Sequence, residues 1–168
     1  MKTEPTTPFE GAGRNSRGIK TRILVCDDEL AVRELISAVL GMAGYHVETA
    51  ASGAEALNRV REQMDRFELV LTDHKMPGLD GLELVRELRL CAFPGKIVVL
   101  SGCLDYADTL AYAGLSVDGI MHKPLDLVEF KKAIRNVISS YPGEGMKASE
   151  TGRAKGDWNG EQWEVLQF

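Results

Sequence analysis

Three short apolar runs govern what this chain can fold into: Ile23-Leu24-Val25-Cys26, Leu69-Val70-Leu71 and Ile97-Val98-Val99-Leu100. None of them alternates apolar with polar residues, so each is expected to be a strand buried on both faces. Strands of that kind belong to parallel sheets with helices packed on either side. Weaker extended segments at 46–50 and 117–121 add two more strands. Helical spacing fills the gaps. Leu35, Ile36, Val39 and Leu40 share a face in 30–42, and Ala56, Leu57, Val60 and Met64 do so in 53–64. Leu84, Val85 and Leu88 line up in 80–90, with Asp80 placed to cap the N-terminus, and Phe130, Ile134, Val137 and Ile138 line up in 125–140. The weakest helix is 104–113, short and rich in Ala and Gly. The order is βαβαβαβαβα, an α/β chain whose parallel sheet is wound by right-handed crossovers with helices on both faces.

Composition sets the outer limits. With 168 residues, 44% of them hydrophobic, the chain can bury a core without disulfides or metals. A net charge of −5 excludes holding nucleic acid by phosphate neutralisation alone, so no direct DNA binding is expected. No apolar run approaches the roughly 20 residues of a membrane span, and the N-terminus has no apolar signal-peptide region. Cys26, Cys91 and Cys103 are odd in number and not at metal-ligand spacing, which reads as reduced thiols and a cytoplasmic location. Charge divides the chain into three: +3 over residues 1–22, −6 over 23–141 and −2 over 142–168. Residues 1–21, rich in Thr, Pro and Gly, are expected to be a disordered arm, and 22–141 the folded domain. The segment 142–168 opens with Pro142-Gly143 and stays polar as far as Trp158, Trp163 and Phe168. Those aromatics, five residues apart, fit neither a helix face nor a strand, and a disordered polar tail is expected there. Its 27 residues are too few for a helix-turn-helix output domain.

Ligands of such sheets bind beyond the carboxyl ends of the strands. Asp27-Asp28-Glu29 follows the first strand, Thr72-Asp73-His74-Lys75 ends the third, Ser101-Gly102-Cys103 follows the fourth and His122-Lys123-Pro124 the fifth. Acids, a hydroxyl and a lysine therefore converge on one edge. Clustered carboxylates raise one another's pKa or hold a cation, and all-oxygen ligands suit Mg²⁺. A lysine can hold a phosphoryl oxygen, and a carboxylate can attack phosphorus to give an aspartyl phosphate. Helix capping would explain any one of these residues, but it explains poorly why all of them lie on the same edge.

The set Asp27-Asp28, Asp73, Ser101 and Lys123-Pro124, with Met76-Pro77-Gly78-Leu79-Asp80-Gly81, resembles the receiver domain of bacterial two-component response regulators. The resemblance spans about residues 22–141 and implies a flavodoxin-like (βα)5 doubly wound sheet with strand order 2-1-3-4-5. It implies Asp73 as phosphoacceptor, with Ser101 bonding and Lys123 pairing with the phosphoryl group. It also implies Mg²⁺ held by Asp27, Asp28, Asp73 and the backbone carbonyl of Lys75. The implied donor is a phosphohistidine on a sensor histidine kinase or a histidine phosphotransfer protein. The output would be binding of a downstream protein target or onward relay.

Two departures from the family pattern stand out. Ile120 occupies the place of the family's aromatic switch residue, three before the lysine. Lys75 and Cys103 stand two residues after Asp73 and Ser101, where the family tunes the lifetime of the phosphorylated state. His74 and His122 read as strand-end residues, His46 as structural and Cys26 as a small buried apolar residue. The chain is thus expected to be a signalling protein that assists its own phosphorylation without being an enzyme. Alternatives are a phosphorylation-independent adaptor of the same fold, or a hydrolase with an aspartate nucleophile. Against the hydrolase, such enzymes carry a second Asp where this chain has Lys75.

Overall fold

The computed structural model describes residues 20–140, so the tail, and the arm apart from its last two residues, lie outside the described residues. Five strands alternate with five helices: β1 (Arg22–Cys26), α1 (Leu30–Met42), β2 (His46–Ala50), α2 (Gly53–Glu62), β3 (Leu69–Asp73), α3 (Gly81–Leu90), β4 (Lys96–Ser101), α4 (Tyr106–Gly114), β5 (Gly119–His122) and α5 (Leu127–Ser139). The strands form one parallel sheet in the order β2-β1-β3-β4-β5, the flavodoxin-like topology expected.

The unbroken apolar runs make sense once the sheet is seen from both sides. Successive strand residues point to opposite faces. Leu24, Val70, Ile97 and Val99 meet Leu57 and Val60 of α2, Leu84 and Leu88 of α3 and Tyr112 of α4. Ile23, Val25, Leu69, Leu71, Val98 and Leu100 meet Ile36 and Leu40 of α1 and Phe130 and Ile134 of α5. Cutting a buried member such as Ile134 to Ala would cost about 2–5 kcal/mol.

Local chemistry sets the helix ends. Asp80 accepts from Glu83 N at 2.8 Å while Glu83 returns a bond to Asp80 N, a capping box that starts α3. Ser52, Asp105 and Asp126 cap α2, α4 and α5 with the one-way bond alone, each side chain accepting from backbone N–H of the first turn. Some boundaries differ from the expectation. Strand β5 begins at Gly119 because Asp118 is occupied in bridging to β4: its N donates to Ile97 O and its carboxylate accepts from Ile97 N. Helix α2 stops at Glu62, leaving Met64 to pack on the core from the following turn. Leu35 is not part of the core face; it is 48% exposed, and Val32 packs in its stead. Residues 32, 36, 39 and 40 form one stripe, and residue 35 is turned about 100° from residue 36.

Candidate functional site

Parallel register carries the chemistry-bearing residues to a common edge. Cys26 pairs with Thr72, Asp73 with Leu100 and Ser101 with His122, so Asp27, Asp73, Ser101 and Lys123 all emerge at the carboxyl ends of adjacent strands. Asp27 is fully buried and Asp73 is 7% exposed. Lys123 Nζ donates to Asp27 Oδ2 at 2.7 Å and to Asp73 Oδ1 at 2.5 Å. Two like charges about 4 Å apart repel by about 4 kcal/mol at an effective dielectric near 20, and the ammonium between them offsets that repulsion. Burial alone would lower the Lys123 pKa; the hydrogen bonds to Asp27 and Asp73 outweigh it and hold the ammonium above the usual lysine value.

Each carboxylate gives its second oxygen to the backbone. Asp73 Oδ2 accepts from Lys75 N at 2.7 Å, and Asp27 Oδ1 accepts from Glu29 N at 2.9 Å. The backbone beyond Asp73 is tied down as well: His74 N donates to Leu100 O at 2.8 Å and Gly81 N donates to His74 O at 2.9 Å. A Cβ on Gly81 would lie 2.1 Å from Asp73 O, so only glycine lets α3 start this close to the strand end. Arg33, which sequence reasoning did not single out, donates to the carbonyls of Asp27 at 2.7 Å and Asp28 at 3.0 Å and clamps the loop between β1 and α1. Its position one turn into a helix was its only signal.

The other expected site residues lie around this pair. Asp28 and Lys75 are exposed at the rim. Ser101 is at the same edge, but its hydroxyl is engaged with the following loop: it donates to Cys103 O at 2.9 Å and accepts from Cys103 N at 3.2 Å. Ile120 packs inward against the core on the α2–α4 side. His74 is not a bare strand end; it is buried and bonded to Tyr112 of α4. Cys26 is the inert thiol expected, with burial pushing its pKa up to about 12 and Met76 Sδ 3.4 Å away.

Among the described residues no three His, Cys, Asp or Glu side chains form a metal-binding group. Mg²⁺ does not need one, because it binds through one or two carboxylates together with waters and phosphate oxygens. Asp27 and Asp73, already arranged around one cation, are oxygen donors of the right kind.

Residues 23–135 match the family described as the response regulator receiver domain. The chain belongs to this family. Receiver domains are signalling modules of two-component systems. Curated relatives include the transcriptional regulatory protein AruR of Pseudomonas aeruginosa, 36% identical over 82% of this chain and 58% of the relative. The response regulator MprA of Mycolicibacterium vanbaalenii is 38% identical over 74% of this chain and 53% of the relative. A probable transcriptional regulator, ycf27, of Cyanophora paradoxa is 34% identical over 79% of this chain and 54% of the relative. The chain spans about half the length of these relatives, whose names describe whole proteins. Among solved structures, the chemotaxis protein CheY4 of Vibrio cholerae superposes with a TM-score of 0.65 at 28% identity, covering 70% of this chain and 98% of that one. A receiver domain protein from Clostridium thermocellum gives 0.66 at 29% identity, covering 71% and 94%. Among the described residues no helix is long and apolar enough to cross a membrane.

Proposed function

We propose that this receiver domain accepts a phosphoryl group on Asp73 from a phosphohistidine of a sensor kinase or phosphotransfer protein, and signals by binding a protein target or by relaying the group. The observation that carries this reading is the setting of the Asp73 carboxylate. It is buried at the end of β3, with Lys123 Nζ on one oxygen and the Lys75 backbone N–H on the other. Such a carboxylate is held still by a donor on each oxygen, as a positioned nucleophile must be. In the transfer an Asp73 oxygen bonds to phosphorus as the phosphorus–nitrogen bond breaks, and the electron pair leaves with the imidazole. Lys123 stays on the site as a cation and pairs with the incoming phosphoryl oxygens. The Ser101 hydroxyl, one strand away, supplies a hydrogen bond once it leaves Cys103. Mg²⁺, held by Asp27, Asp28, Asp73 and the Lys75 carbonyl, would screen the charge that gathers at phosphorus.

The test is incubation with acetyl phosphate and Mg²⁺ followed by intact mass measurement. The wild-type protein is expected to gain one phosphoryl group and the Asp73→Asn variant none. A protein that gains nothing while keeping its fold would be an adaptor, and continuous consumption of the reagent would mark a hydrolase.

A further inference from the structure

The residue next to the phosphoacceptor forms a buried contact that the phosphoryl-transfer chemistry does not use. His74 is 6% exposed and Tyr112, in α4, is fully buried. His74 Nδ1 lies 2.8 Å from the Tyr112 hydroxyl, with the rings edge to face at 5.7 Å. On its other side His74 Nε2 lies 3.1 Å from Asp108 Oδ2, also on α4. With Nε2–H donating to the carboxylate, Nδ1 is left to accept the phenol proton. Burial, reinforced by the Asp80, Asp108 and Asp73 carboxylates, raises the phenol's pKa and keeps it a donor. The backbone of His74 is fixed to β4 and to the start of α3 by its bonds to Leu100 and Gly81. One immobile imidazole therefore grips α4 at two places, one turn apart.

We infer that His74 is a positioning residue that latches α4 in the resting state, and that activation has to work against this latch. The inference rests on the reading of Asp73 as phosphoacceptor. Ser101 holds Cys103 through two hydrogen bonds, and Asp105, two residues further on, caps α4 by accepting from Asp108 N at 2.7 Å. Moving the Ser101 hydroxyl to a phosphoryl group on Asp73 gives up both bonds to Cys103 and releases residues 102–105, which carry the Asp105 cap on Asp108, the residue His74 holds. With Ile120 in β5 there is no phenol at that strand to rotate as the hydroxyl moves, so the change falls on α4 and its attachment. A latch present only in the resting state stabilises that state alone. Weakening it shifts the equilibrium toward the active one without adding any contact to the ligand.

The experiment is a beryllofluoride titration at fixed Mg²⁺, followed by backbone amide shifts, on wild type, Tyr112→Phe and Asp108→Asn. Tyr112→Phe removes the hydroxyl and keeps the ring; Asp108→Asn changes a partly exposed side chain and is the safe variant should the buried one fail to fold. The latch predicts that each folded variant binds beryllofluoride about three- to tenfold tighter than wild type, the worth of roughly one hydrogen bond. It also predicts faster amide exchange in residues 106–114 before any ligand is added. A His74–Tyr112 contact that only supports the fold would lower the melting temperature and leave the affinity unchanged. Equal or weaker binding by the variants, with wild type gaining its phosphoryl group normally, overturns the latch alone. Wild type that neither gains a phosphoryl group nor binds beryllofluoride overturns the reading of Asp73 and the latch with it.

Discussion

Lys123 Nζ lies 2.5 Å from Asp73 Oδ1, although the two residues are 50 apart in sequence and β4 separates their strands. The same nitrogen reaches Asp27 Oδ2 at 2.7 Å, so one cation serves two buried carboxylates. Lys123→Ala leaves that pair uncompensated, and the variant is expected to lose about 1–3 kcal/mol of stability. A divalent cation compensates the same oxygens, so Mg²⁺ should raise the melting temperature more in Lys123→Ala than in wild type. Equal Mg²⁺ dependence of the two melting temperatures would count against a shared role. The alkaline side has a definite sign. The Lys123 pKa is raised in the folded protein, so its contribution is complete below the ordinary lysine value of 10.5 and is lost as pH rises through the higher folded value. The alanine variant should lack that alkaline loss.

Gly81 and Gly41 offer a matched pair of substitutions. A Cβ at Gly81 would meet Asp73 O at 2.1 Å and His74 Cα at 2.9 Å, and neither backbone atom can move without shifting the phosphoacceptor. Gly81→Ala is expected to cost about 1–3 kcal/mol or more and to slow phosphorylation by acetyl phosphate. A Cβ at Gly41, inside α1, would have nothing within 4 Å, and Gly41→Ala should be neutral or stabilising by up to about 1 kcal/mol. Thermal unfolding of the two variants side by side checks both; a harmless Gly81→Ala would show that the closeness of α3 to the strand end is not required.

Acid stability should depend on Glu55. Its carboxylate accepts from Ala51 N at 2.8 Å and pairs with Arg59 at 2.8 Å, and these bonds, the backbone one first, hold its pKa below the ordinary 4.5. A lowered pKa contributes stability that is present above pH 4.5 and is lost as pH falls through the folded value. Glu55→Gln should therefore cost roughly 0.5–1 kcal/mol at pH 7, as loss of a partly exposed capping interaction does, and the difference from wild type should shrink below pH 4. Chemical denaturation at pH 7 and pH 3.5 measures it; a gap that stays constant would place the interaction outside the titration.

The parts of this fold that were legible in the sequence are those written in adjacent residues. Ile97-Val98-Val99-Leu100 can be buried on both faces only as a central strand, and Asp73 and Ser101 had to fall at strand ends because the runs before them end there. The Asp80 cap was readable for the same reason, since cap and partner lie three residues apart. Leu35 was misplaced because helical periodicity gives a stripe without its edges, and which neighbour fills the edge depends on how α1 lies on the sheet. The bond between His74 and Tyr112 spans 38 residues and joins two side chains whose types, taken singly, fit an ordinary core. Nothing local distinguishes that pair. Only the packing of α4 against the end of β3 makes it a hydrogen bond.

The exposed side chain of Lys75 should lengthen the life of the phosphorylated state. Its backbone N–H is committed to Asp73 Oδ2, which fixes where the side chain leaves the chain: at the rim of the site, next to the carboxylate that would carry the phosphoryl group. Hydrolysis needs water in line with the bond from Asp73 to phosphorus. A lysine attracted by phosphoryl oxygens lays its methylene stem across that approach while its head stays wet. The opposing effect is electrostatic, because a cation also stabilises a transition state carrying negative charge. Blocking is expected to win, since Lys123 already stands 2.5 Å from Asp73 Oδ1 and a second cation adds little. An exposed ion pair is worth about 0.2–1 kcal/mol, so Lys75→Ala should lose its phosphoryl group about 1.4- to fivefold faster than wild type. Lys75→Met separates the two effects. It keeps most of the stem and removes the charge, so it should decay at a rate between the alanine variant and wild type. The measurement is the decay of purified phosphoprotein at fixed Mg²⁺ and pH, and a Lys75→Ala rate equal to or slower than wild type would refute the shielding argument.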